Sequence, residues 1–164
     1  MNNIRQVSGL QWSEPTFSGT LPKPRSIAAK NGIAYQKKVG RALTSAAIKI
    51  NSTLLSDPWF RFYDDNGRGQ IVPDFILEMS DLSLIVEVKY TFTQEGINKL
   101  QYLYMPVVKA ALFKFRVRPL LICRNLIPAK EMIGAKIISK LGEALLTYNA
   151  VPVLQYLGQG AIRW

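Results

Sequence analysis

Apolar residues recur at helical spacing from about Ala28 to Ile50: Ile33, Val39, Leu43, Ala46 and Ile50. That period predicts a helix, and it carries Lys30, Lys37, Lys38, Arg41 and Lys49 with no acid. The pattern then changes to period two. Aromatic alternation over Trp59–Tyr63, the turn-forming "DDNGRG" and the run "QIVPDFILEM" predict a strand, a tight turn and a second strand. A turn at Ser80–Asp81 leads to a third strand, Leu82–Tyr90. Helical periodicity returns over Gln94–Phe115 through Ile97, Leu100, Tyr104, Val108 and Leu112, with Pro106 expected to kink or split the helix near Met105. "RPLLICRN" has the composition of a fully buried strand, "AKEMIGAKIISKLGEALLTY" reads as an amphipathic helix, and "AVPVLQYL" as a last main strand. Residues 1–27, rich in Ser, Thr, Pro and Gly, read as an irregular arm preceding a single domain over 28–164. The expected order is α-β-β-β-α-β-α-β, an α/β domain with a mixed central sheet flanked by helices.

Composition narrows the chemistry. The 164 residues hold one cysteine, Cys123, and no histidine. Cysteine-based zinc sites, intramolecular disulfides and histidine-dependent catalysis are excluded, which leaves carboxylates, lysines, hydroxyls and hard metals. No apolar run has the length of a membrane span, and none follows the first charge near the N-terminus as a secretory signal requires. A cytoplasmic setting with no membrane partner is expected.

The net charge is +10 and unevenly spread. Residues 1–56 carry eight basic and one acidic residue, residues 57–87 two basic and seven acidic, and residues 88–164 eleven basic and three acidic. A basic body suits a polyanion such as nucleic acid, whereas the acidic island repels one unless it is neutralised. A solvated basic surface with no special role is the plainer reading of the same charge.

Three polar residues interrupt the apolar strands of the island: Asp74, Glu87 and Lys89. Alternation places Ser83, Ile85, Glu87 and Lys89 on one face of the third strand. Folding the hairpin about Ser80–Asp81 pairs Met79 with Leu82 and brings Asp74 opposite Glu87, with Cβ atoms roughly 5 Å apart. Two carboxylates that close require a protonated partner, a lysine or a cation between them. Lys89 supplies one positive charge and leaves the cluster near −1. A hard divalent ion such as Mg²⁺ or Mn²⁺ would complete the neutralisation.

"PD" at Pro73–Asp74 followed by "EVK" at Glu87–Lys89, in this order of elements, resembles the PD-(D/E)XK signature of restriction-endonuclease-like nucleases over about residues 28–157. The resemblance implies a restriction-endonuclease-like core and Mg²⁺- or Mn²⁺-dependent hydrolysis of phosphodiester bonds in DNA. It implies Asp74, Glu87 and the carbonyl of Val88 as metal ligands, and Lys89 as the residue that orients the attacking water. A glutamine often followed by a tyrosine on the next helix points into the active site in related branches; here "KLQYLY" offers Gln101 and Tyr104. Many members carry a glutamate on the first helix that joins the metal site. Gln36 stands at the plausible position here, a departure that puts a second metal in doubt.

On the same helix Tyr35, Lys37, Lys38 and Arg41, with Lys30 before them, are candidate phosphate contacts. The size and charge suit a junction resolvase or small phage-type nuclease acting on branched DNA. The competing readings are a catalytically weak or inactive nucleic-acid-binding protein of the same fold, and an RNA nuclease, which the absence of histidine disfavours. Trp12, Phe17 and Trp164 are candidates for a homodimer contact or for the core.

Overall fold

The computed structural model describes residues 4–17, 19, 21–113, 116–126, 138–140, 143–148, 151–158 and 162. In chain order the elements are β1 (Trp12–Thr16), α1 (Ile27–Lys49), β2 (Thr53–Ser56), β3 (Trp59–Asp64), β4 (Gly67–Ile71), β5 (Phe75–Glu78) and β6 (Ser83–Thr91). There follow α2 (Gln94–Lys99), a π-helical segment over Leu100–Tyr104, α3 (Met105–Leu112), β7 (Val117–Asn125), β8 (Ile138–Lys140), β9 (Glu143–Tyr148) and β10 (Val151–Gln155). A mixed seven-stranded sheet runs β2-β5-β6-β7-β10-β9-β8, and a separate antiparallel sheet runs β1-β3-β4. The chain is thus α/β with a mixed sheet.

Helices cover both faces of the large sheet. On one, α1 packs Tyr35, Val39 and Leu43 against Phe75, Val86, Val88, Ile122 and Leu154. Ser26 caps α1 by accepting from the Ala29 N–H at 3.0 Å. Gly40 lets α1 approach closely, since a Cβ there would lie 2.9 Å from the Phe75 ring. On the other face, Ile85 and Leu121 pack with Ile97, Leu100, Tyr104 and Val107 of the second helical region. The inward residues of the small sheet, Phe60, Phe62 and Ile71, close that same core.

Several expectations change. The arm is not irregular throughout: Trp12–Thr16 forms β1, an edge strand against β3. Pro15 is tolerated there because an edge strand does not need every N–H. The run expected as one strand after "DDNGRG" is two, β4 and β5, in different sheets. Pro73 breaks it, holding Val72 extended and offering no N–H to a ladder. The short β2, pairing with β5, is additional. The helix expected over 129–148 is absent where the chain is described, since Ile138–Lys140 and Glu143–Tyr148 are strands. Spaced apolar residues suit either element, and the adjacent β10 captures Leu145 to Tyr148 as a hairpin partner. Positions 129–137 and 141–142 of that helix lie outside the described residues, as does Trp164.

Pro106 acts much as expected. The helical region stays continuous but widens just before Met105, whose N–H donates to the Leu100 carbonyl five residues back. A regular helix would have the residue at 106 donate to the Tyr102 carbonyl, which proline cannot do. The Val7 N–H of the N-terminal segment takes that carbonyl instead, at 3.0 Å.

Candidate active site

The β5–β6 ladder pairs Phe75 with Val86, Ile76 with Ile85 and Leu77 with Leu84. The Met79 N–H donates to the Leu82 carbonyl at 2.8 Å, which closes the hairpin about Ser80–Asp81. Extended one step past Phe75, the same register sets Asp74 against Glu87. One step further it sets Pro73 against Val88, where ladder bonding needs an N–H that proline lacks. The Asp74 carboxylate fills half of the gap, with Oδ2 accepting from the Val88 N–H at 2.6 Å. The Val88 carbonyl lies on that same edge of β6, because N–H and C=O of one strand residue point the same way. The residue pair Pro-Asp therefore ends the ladder and replaces part of it with a carboxylate.

Glu87 is 2 % exposed. Its Oε1 meets two ammonium groups, Lys89 Nζ at 3.0 Å and Lys99 Nζ at 3.2 Å. Its Oε2 is buried with no hydrogen-bond partner. A buried carboxylate oxygen without a partner is costly, and a bound cation is one of the few groups that satisfies it. Burial pushes the Asp74 carboxyl up to about 7, with the Glu87 charge adding to the rise and the Val88 N–H, Lys89 and Lys99 opposing it.

Lys99 was not legible beforehand. The capping of α2 by Thr93, whose hydroxyl accepts from Gly96 at 3.2 Å, sets the helix start. Lys99 then falls in its last turn, over the Tyr104 ring at 5.2 Å. Two carboxylates thus face two ammonium groups, and the net −1 expected for the cluster does not hold. Tyr104 is buried, and its hydroxyl donates to the Val72 carbonyl at 3.2 Å. Burial and the neighbouring carboxylates hold that hydroxyl far above its ordinary pKa, so it stays protonated. Its reach is to the backbone that carries Pro73 and Asp74. Gln101 is half-buried in the π segment, between Lys99 and Tyr104.

A third acid, Asp57, contacts the backbone of Asp74 from the turn after β2. It sits at φ 47°, in the left-handed region that aspartate tolerates better than most residues. Its N–H donates to the Asp74 carbonyl at 2.9 Å, and its Oδ1 accepts from Gln36 Nε2 at 3.3 Å. Burial raises the Asp57 pKa, and the Gln36 bond opposes that rise. Gln36 therefore reaches the site through Asp57. "SDPW" contains a turn signal but no spacing that ties it to Asp74.

The basic residues of α1 are placed differently. Lys30, Lys37, Lys38 and Arg41 are exposed, and none makes an ion pair among the described residues. Lys38 and Arg41 line a shallow groove of about 330 Å³ with Ser45 and Tyr156. Tyr35 is not a phosphate contact: it is buried, and its hydroxyl donates to the Tyr156 carbonyl at 2.6 Å.

Asp74, the unpartnered Oε2 of Glu87 and the edge carbonyl of Val88 are oxygen donors of the type a hard cation takes. Among the described residues no group of three or more His, Cys, Asp or Glu side chains comes together as a metal site. No helix among the described residues is long and apolar enough to cross a membrane. No family model matches the chain, and no curated protein matches it in sequence.

Proposed function

We propose that the chain is a metal-dependent DNA endonuclease of restriction-endonuclease-like fold, selective for branched DNA. The observation that carries this reading is the buried Glu87 with one oxygen held by two lysines and the other without a partner, beside Asp74 at the broken end of β5. A bound Mg²⁺ or Mn²⁺ would supply Lewis acidity at the scissile phosphate and lower the pKa of water. Asp74, Glu87 and the Val88 carbonyl would hold it. Lys89 projects from the same face of β6 as Glu87 and would orient the attacking water and stabilise charge on the phosphoryl oxygens. Lys99 adds a second positive charge for that purpose. The exposed cations of α1 would bind backbone phosphates away from the reacting bond.

A second reading has its own support: a nucleic-acid-binding protein with little or no cleavage. Lys99 balances the carboxylates without a metal, and Gln36, at the position where the resemblance implies a metal-binding glutamate, carries no charge and donates to Asp57. End-labelled four-way junction and matched linear duplex, incubated with Mg²⁺ or Mn²⁺, separate the two. The nuclease reading expects wild type to cut the junction and Lys89→Ala to bind without cutting. Cleavage of both substrates removes the branched-DNA selectivity. Binding of both with cleavage of neither, in either metal, establishes the second reading.

A further inference from the structure

The small sheet turns its apolar residues inward and presents a different surface to solvent. The register sets Trp12 opposite Tyr63 and Tyr63 opposite Arg68, giving one row across the three strands. The next row on that face is Glu14, Arg61 and Gln70. Trp12 is 42 % exposed, large for a residue with so much apolar area. Its ring lies 6.4 Å from that of Tyr63 and within 12° of parallel. Arg61 is held by Glu14, whereas Arg68 makes no ion pair among the described residues. Trp12, Arg68, Glu14, Arg61 and Gln70 of these rows border a groove of about 630 Å³, with Tyr63 beside it against Trp12.

We infer that this face binds unpaired nucleotides of a nucleic-acid strand. Aromatic rings held parallel on a rigid sheet offer stacking surface to any base, since every base has a π-face. A base inside a duplex hides that face, so the platform selects single-stranded segments. Arg68 lies at the end of the aromatic row, positioned for the phosphate next to a stacked base, and supplies a positive charge on a face formed largely from the acidic stretch 57–87. Gln70 and the Glu14–Arg61 pair offer hydrogen-bonding groups to base edges. An acidic or apolar partner fits less well: the first would not use the rings, the second would bury Arg68. The inference does not require cleavage, because binding to this face needs no metal.

The test is fluorescence anisotropy of labelled oligothymidylate, oligouridylate and a blunt duplex with the full chain in EDTA. Trp12→Ala and Tyr63→Ala are each expected to weaken single-strand binding by about tenfold and leave duplex binding unchanged. Trp12→Phe should keep most of the affinity, and Arg68→Ala should lower the salt dependence by about one ion. Comparing thymidylate with uridylate tells whether DNA or RNA supplies the bases. Unchanged single-strand binding by both alanine variants overturns the inference, as does an equal loss for strand and duplex. So does a change in sedimentation with unaltered oligonucleotide binding, which would make the face a contact between copies of this chain. Cleavage results leave all these outcomes unaffected, so failure here and failure of the nuclease reading are separately visible.

Discussion

Replacing Asp74 by asparagine is expected to destroy cleavage and yet stabilise the metal-free protein. The carboxyl is held near 7 in the fold against an ordinary value of 3.8. A group whose pKa is raised by folding loses its proton more readily from the unfolded chain. Its contribution is neutral below about pH 4, turns destabilising as pH rises from there to about 7, and stays constant above. The full shift corresponds to about 4 kcal/mol at 1.36 kcal/mol per pKa unit. Asp74 retains some solvent exposure, which screens its charge and reduces the expected effect to about 2 kcal/mol. Asparagine keeps an oxygen able to accept from the Val88 N–H, removes the charge and replaces the other oxygen by an amide NH₂. Urea unfolding of both proteins in EDTA at pH 4 and pH 8 measures the difference. Asp74→Asn should match wild type at pH 4 and exceed it by about 2 kcal/mol at pH 8. A variant less stable than wild type at pH 8, or a difference independent of pH, would refute the upward shift of the Asp74 carboxyl by burial.

Two further substitutions address the neighbours. Lys99→Ala leaves Glu87 with Lys89 alone and restores a net negative cluster, so calorimetric titration should find Mn²⁺ bound roughly tenfold more tightly; weaker binding would mean that Lys99 helps hold the site open. Tyr104→Phe removes one hydrogen bond to the Val72 carbonyl and should cost about 1 kcal/mol in denaturant unfolding. The same variant should lower cleavage without changing DNA affinity, because the bond fixes the backbone leading into Asp74; unaltered cleavage would separate that bond from the positioning of Asp74.

The carboxylate pair was legible because strand geometry is short-ranged. A period of two and a two-residue turn are enough to place Asp74 opposite Glu87, and the ladder has that register. Lys99 and Asp57 were not legible, because each arrives from another element whose orientation depends on packing. Nothing in "INKLQY" says that Lys99 points at a strand twelve residues earlier. With Lys99 beside Lys89 the two carboxylates are balanced in charge, and what remains unsatisfied is the Glu87 oxygen without a partner. The layering of helices on both faces followed from the alternation of elements. The hairpin of β9 and β10 did not, since Leu145 and Leu146 satisfy a helical stripe as readily as a strand. The N-terminal strand was hidden by its own Pro and Ser, residues tolerated on an edge strand but rare in a central one.

The bond from Val7 to the Tyr102 carbonyl gives the N-terminal segment a part in the helix that carries Lys99, Gln101 and Tyr104. Proline at 106 removes the N–H that a regular helix would give to the Tyr102 carbonyl. The segment around Val7 thus supplies a missing rung from a distance. Lengthening the link between Val7 and Trp12 would detach the rung while leaving β1 paired. The widened turn would then open to water beside the residues that flank Glu87. The Val7 segment is therefore tied through the backbone, with no side chain involved, to the helical region that flanks the site.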